Sequence, residues 1–124
     1  MFELTVEKNF ASAHYLNNYD GKCENMHGHN YKVKATVQGN ALLKNGILID
    51  FHQLKNYLEN ILSEFDHKVI NMHKDFVKTN PTAENIASWI FKKLQEKLTK
   101  TNVTVKNICV YETDTSYCTY FENK

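Results

Sequence analysis

Two alternating stretches constrain this chain more than anything else in it. Across residues 2–14, Phe2, Leu4, Val6, Phe10 and His14 share one parity, while Glu3, Thr5, Glu7 and Asn9 share the other. Across residues 27–38, Tyr31, Val33, Ala35 and Val37 alternate with Lys32, Lys34, Thr36 and Gln38. A period of two sends successive side chains to opposite faces, so each stretch predicts a half-buried β-strand. The apolar parity also carries imidazoles: His14 in the first strand, His27 and His29 in the second. Consecutive strands usually pair, so three rings are expected together at one end of a sheet, on its covered side. Three neutral histidines with a fourth position open are the donor set of a catalytic zinc site. Satisfied core histidines are the alternative, and that fits one such residue better than three on one parity.

The remainder of the chain supplies the cover. Asp50 is placed to cap a helix, with Gln53 three residues on as in a capping box. Phe51, Leu54, Leu58, Ile61, Leu62 and Phe65 follow at helical spacing. A second helix is predicted from Pro81-Thr82, with Thr82 as N-cap, Glu84 in the first turn, and Ile86, Ile90, Phe91, Leu94 and Leu98 as its apolar stripe. Strands at 103–113 and 116–121, joined by a turn at Asp114-Thr115, close the sequence. The order β-β-α-α-β-β predicts a single α+β domain over residues 1–124: a four-stranded antiparallel sheet with two helices on one face. The last two strands carry apolar or aromatic residues on both parities, so the second face is expected to be covered by another chain. A two-residue turn at 114–115 sets Cys109 opposite Tyr120 and Cys118 opposite Tyr111, which implies no disulfide.

Composition excludes several classes of function. Fifteen basic residues stand against fourteen acidic ones, for a net charge of +1, and every basic residue is lysine. A field this weak, without arginine for bidentate readout, argues against nucleic acid or an anionic membrane as partner. No apolar run is long enough to span a bilayer, and the N-terminus has no basic and apolar leader. Three cysteines, an odd number without an export signal, point to reduced thiols and a cytoplasmic setting.

Further side chains carry chemistry. Cys23 lies four residues before His27. It is either a fourth metal ligand, which would close the site, or a thiol beside the metal with its pKa drawn toward neutrality. Asp66-His67 follows the first helix, where an acid and an imidazole serve as a proton relay or simply as a helix-end cap. Glu112 shares the parity of Ile108 and Val110, and a carboxylate on an apolar face needs a partner, either Lys106 or a ligand bearing N–H groups. His52 and His73 have no such context and are read as surface residues. Gly28, between two histidines, allows close backbone approach to a ligand.

The motifs Phe10-Ala-Ser-Ala-His14-Tyr-Leu16, Gly21-Lys-Cys23-x-x-x-His27-Gly-His29-Asn-Tyr31, Asp50-Phe51-x-x-Leu54-Lys55, Asp66-His67-x-x-Ile70-Asn71, Pro81-Thr-x-Glu-Asn85 and Glu112-Thr113 occur in this order. In that combination the chain resembles the 6-pyruvoyltetrahydropterin and 6-carboxytetrahydropterin synthase family over nearly its full length. The resemblance implies the tunnelling fold, whose protomers join sheets into a barrel and assemble as a hexamer, a dimer of trimers. It implies 7,8-dihydroneopterin triphosphate as substrate, Zn2+ on His14, His27 and His29, and Cys23 as catalytic thiol. It implies Asp66 and His67 as a proton relay that completes a site with a neighbouring protomer's Cys23, Glu112 as pterin anchor, and Thr82 and Glu84 as pocket lining. The Cys-x-x-x-His-x-His spacing resembles the bacterial 6-carboxytetrahydropterin synthases of queuosine biosynthesis, with the 6-pyruvoyl branch as the alternative. A non-catalytic zinc module, with Cys23 as fourth ligand, is the reading from another class.

Overall fold

The two alternating stretches pair with each other along their whole length. Strands β1 (Phe2–His14) and β2 (His27–Gly39) run antiparallel, in register from Phe2 opposite Gly39 to His14 opposite His27. The computed structural model describes residues 1–17 and 25–123. The connection that contains Cys23 therefore lies outside the described residues. Helix α1 (Phe51–Leu62) follows, then the two-residue strand β3 (Lys68–Val69) and a 3-10 turn at Ile70–Met72. Helix α2 (Ala83–Lys97) and strands β4 (Thr104–Thr113) and β5 (Ser116–Tyr120) complete the order.

The sheet has five strands in the order β3-β1-β2-β4-β5, one more than the alternation predicts. The extra strand pairs parallel to β1 at Ser12 and Ala13 only, so the sheet is mixed and not purely antiparallel. Two residues are too few for a period of two to register. The docking comes instead from Asp66 and His67, which clamp Ala11: its N–H donates to Asp66 Oδ1 at 2.9 Å, and its carbonyl accepts from His67 N–H at 2.6 Å.

The predicted core parities hold in β1, β2 and β4. Val6, Phe10 and His14 are buried, as are Tyr31, Val33, Ala35 and Val37, with Ile108 and Val110 beside them. Phe2, at the strand's start, stays about half exposed at 48%. Leu54, Leu58, Ile61 and Leu62 of α1 and Ile86, Ile90, Phe91 and Leu94 of α2 cover that one face. Each fully buried leucine or isoleucine contributes about 1.5–3 kcal/mol of transfer free energy. Asp50 caps α1 by accepting from His52 N–H at 2.8 Å, but Gln53 does not return the bond and donates to the Tyr57 hydroxyl instead. Thr82 caps α2, accepting from Asn85 N–H at 3.1 Å.

The β4–β5 register differs from expectation by one residue. Thr113 faces Ser116 as a two-residue turn requires, yet Tyr111 faces Tyr117, Val110 faces Cys118 and Cys109 faces Thr119. Glu112 is the extra residue between Tyr111 and Thr113. A bulge of this kind leaves one residue outside the ladder and re-aims its side chain. Cys109 and Cys118 are free thiols, as predicted. On the far face Tyr111 stacks on Tyr117 at 4.3 Å between ring centroids, and Lys32 lies over Tyr111 at 4.4 Å.

Candidate metal centre

Pairing His14 directly with His27 places their rings side by side at the sheet's end, and His29 follows two residues along the same face of β2. Ring centroids lie 4.6 Å (His14–His27), 5.1 Å (His14–His29) and 4.8 Å (His27–His29) apart. Glu112, turned inward by the bulge, closes the group. One donor atom from each of the four residues lies within 4.8 Å of all the others.

The backbone decides which ring nitrogens face inward. His14 Nδ1–H donates to the Pro81 carbonyl at 2.8 Å and lies 3.2 Å from the Tyr31 hydroxyl. His27 Nδ1–H donates to the Asn25 carbonyl at 3.0 Å. Carbonyl oxygens only accept, so both rings carry their proton on Nδ1 and a lone pair on Nε2. Those two Nε2 atoms face each other at 3.0 Å. His29 Nε2 is buried without a hydrogen-bond partner. Burial draws the His29 pKa below its usual value, with His14 and His27 adding to the effect and Glu112 opposing it. Burial, and then Glu112, push the Tyr31 phenol well above its usual range.

Converging lone pairs and an orphaned buried nitrogen are costly in a dry site and are reconciled by a cation between them. The second-partner pattern is also that of ligating histidines, whose other N–H is fixed by a carbonyl. The donor set therefore fits a divalent metal of the zinc type, with imidazole and carboxylate as ligands.

The profile of the 6-pyruvoyl tetrahydropterin synthase family matches residues 3–123. The chain belongs to that family. A relative from Haemophilus influenzae named 6-carboxy-5,6,7,8-tetrahydropterin synthase is 34% identical over 98% of this chain and 100% of its own. One of the same name from Bacillus subtilis is 34% identical over 99% of this chain and 87% of its own. The solved structure of Caenorhabditis elegans 6-pyruvoyl tetrahydropterin synthase superposes with a TM-score of 0.82 at 28% identity, covering 99% of this chain and 98% of that one.

Within this family member the predicted site residues divide into groups. His14, His27, His29 and Glu112 come together. Lys106 does not partner Glu112: it pairs with Glu3, and Glu112 Oε2 lies 3.2 Å from His29 Nε2 and 3.4 Å from His14 Nε2. Thr82 is next to Pro81, whose carbonyl holds His14, and spends its hydroxyl on the α2 cap. Glu84 is exposed in the first turn of α2.

Asp66 and His67 do contact each other, at 3.1 Å, and His67 adopts a left-handed φ of 58°. Neither is among the converging donors. His67 borders a shallow hollow of about 580 Å³ that His29 of the cluster also lines, together with Ala11, Ser12, Ala13, Gly28 and Asn30. A Cβ added to Gly28 would meet only the Ser12 carbonyl, at an ordinary 3.6 Å, so the fold itself does not demand glycine there.

His52 is exposed as predicted, but His73 is not a surface residue. It packs against Phe65 and Trp89 and hydrogen-bonds Glu64 at 2.8 Å. Sequence reasoning also missed the backbone clamps beside the site. The Asn71 side chain accepts from Tyr15 N–H at 3.0 Å and donates to the Tyr15 carbonyl at 2.9 Å, and Asn80 holds Asn17 likewise at 2.8 Å each way. The sole proline and two asparagines between the helices were the available signal, but their partners are 56 to 67 residues away.

Proposed function

We propose that this chain is a zinc-dependent 6-carboxy-5,6,7,8-tetrahydropterin synthase acting in queuosine biosynthesis. It converts 7,8-dihydroneopterin triphosphate and water to 6-carboxytetrahydropterin, triphosphate and acetaldehyde, the water supplying the second carboxylate oxygen. The observation that carries the reading is the convergence of three histidine nitrogens, on a family scaffold whose relatives of that name are 34% identical over almost the whole chain. His14, His27 and His29 would hold Zn2+, which would supply Lewis-acid stabilisation of negative charge developing on the substrate's side-chain oxygens. Glu112 accepts hydrogen bonds from the 2-amino and ring N–H edge of the pterin. Thr82 and Glu84 line the pocket from the start of α2. Cys23, as thiolate, takes the carbon-bound proton beside the ring, and triphosphate departs with its bonding electrons. His67, oriented by Asp66, moves the second proton.

Asp66 and His67 are not among the converging donors and their side chains are exposed, which suits a shared site in which the relay of one copy serves the cluster of another. Two free sheet edges support the same assembly: β1 is bridged by β3 only at Ser12 and Ala13, and β5 is the last strand of the sheet among the described residues. Joining such edges closes a barrel, and we assign the chain to a hexamer built as a dimer of trimers. Its two described cysteines are free thiols and no described helix is long and apolar enough to cross a membrane, in keeping with work in the cytoplasm on a small-molecule substrate.

A 6-pyruvoyltetrahydropterin synthase is the second reading, favoured by the similarity to the C. elegans structure. Mass spectrometry of products from zinc-loaded protein and 7,8-dihydroneopterin triphosphate separates the two. The expected product is the 6-carboxy compound with acetaldehyde. Accumulation of the 6-pyruvoyl compound selects the second reading, and no turnover at all selects a non-catalytic zinc module.

A further inference from the structure

Three of the donor–donor distances in the cluster are those between ligands of one metal ion, and two of the three run to Glu112. Donors about 2.0–2.1 Å from a tetrahedral ion stand about 3.3–3.4 Å apart. His14 Nε2 to Glu112 Oε2 is 3.4 Å, and His29 Nε2 to Glu112 Oε2 is 3.2 Å. His14 Nε2 to His27 Nε2 is 3.0 Å. The carboxylate oxygen therefore stands at ligand spacing from two of the three histidine nitrogens and within 4.8 Å of the third. The His29 ring is hydrogen-bonded to the Glu112 backbone, yet its Nε2 has no hydrogen-bond partner although the carboxylate lies 3.2 Å away. The bulge at Glu112 explains how that position is reached, since the extra residue lets the side chain lean over the ring cluster from the end of β4.

We propose that Glu112 holds two ligands in turn. In the substrate-free protein its carboxylate is the fourth metal ligand, and the N–H edge of an arriving pterin draws it away. This rests on the pterin reading above. A carboxylate that accepts two parallel hydrogen bonds from a flat ligand edge has both oxygens engaged, so Oε2 turns from the histidines. Its side chain is 34% exposed at a strand end, so little packing resists that rotation. The centre is then closed by four protein donors at rest and opens only when the pterin is seated. Metal binding and substrate recognition share one side chain.

The test uses the full-length protein loaded with Co2+ as a spectroscopic substitute for zinc, with neopterin as the non-reactive pterin. Glu112→Gln is expected to change the cobalt absorption spectrum with no pterin present. It is also expected to weaken zinc, in competition with a chromogenic chelator, by at least the roughly 10–100-fold that loss of an outer partner costs. Glu112→Asp, which keeps the charge but shortens the arm, is expected to do the same, and circular dichroism reports that each variant is folded. Neopterin is expected to shift the wild-type spectrum toward that of Glu112→Gln. Unchanged spectrum and zinc affinity in both variants overturn the ligand role, whatever the enzyme's product proves to be. A spectrum that depends on Glu112 but does not respond to bound neopterin overturns the exchange. Failure of neopterin to bind at all overturns the pterin reading on which the exchange rests, while the metal titrations still judge the ligand role.

Discussion

Among the described residues histidine meets glutamate in two clusters, and they are built for different ends. His73 lies among Phe65, Phe76 and Trp89, with ring centroids 5.3, 6.1 and 5.4 Å away. Its Nδ1 accepts from Asp75 N–H at 3.1 Å, so Nε2–H donates to Glu64 at 2.8 Å. Both ring nitrogens are spent inside the protein. At the other cluster, carbonyls of Pro81 and Asn25 take the Nδ1 protons of His14 and His27, and the Nε2 lone pairs are left facing each other. Proximity of histidine to an acid therefore says little about metal binding. What matters is where the backbone fixes the ring's proton, because that decides whether the remaining nitrogens converge as acceptors.

The contrast breaks most sharply at the ligands themselves. His27→Ala and His29→Ala are expected to abolish stoichiometric zinc in dialysed protein, whereas His73→Gln keeps it; metal analysis of the three variants is the check. Zinc retained by the first two would mean that the converging nitrogens are another satisfied cluster. Next in size, Cys23→Ala is expected to lower turnover by on the order of 10²–10⁴ while leaving metal content and melting temperature unchanged. Loss of metal instead would make Cys23 a ligand.

The aromatic cluster should answer in the opposite currency. Phe65, fully buried against Trp89 with centroids 4.6 Å apart, is expected to cost about 3–5 kcal/mol on truncation to alanine, read from urea unfolding, with zinc affinity of the folded fraction unaltered. Glu64→Ala removes the His73 hydrogen bond, whose acid is about half exposed at 45%, and should cost only about 1 kcal/mol.

The smallest effect is a pH dependence at Asp66. The Ala11 N–H, and then His67, hold its carboxyl below the usual value of 3.8. A depressed folded pKa means that the stabilisation is complete above the unfolded value and disappears as pH falls through the folded one. The gap in melting temperature between wild type and Asp66→Asn should thus be constant near neutrality and shrink below pH 3.8. A gap that persists in strong acid would show that the clamp on β1 needs no charge.

The sequence by itself determined the two long strands, the two capped helices, the turn at 114–115 and the face on which His14, His27 and His29 lie. Each of these rests on local rules, a period of two, a period of 3.6 or a capping side chain, whose evidence sits within a few neighbouring residues. Only the tertiary structure decided the fifth strand, the register of β4 and β5, the partner of Glu112, the burial of His73 and the proton positions on the rings. The bulge at Glu112 shows why: inserting one residue shifts every pairing beyond it, yet leaves the alternation on either side looking unbroken. The carbonyl of Pro81 shows it again, because a backbone oxygen 67 residues from His14 has no signature in composition or spacing. It is that oxygen, delivered by the docking of α2, which leaves the His14 Nε2 lone pair facing the cluster.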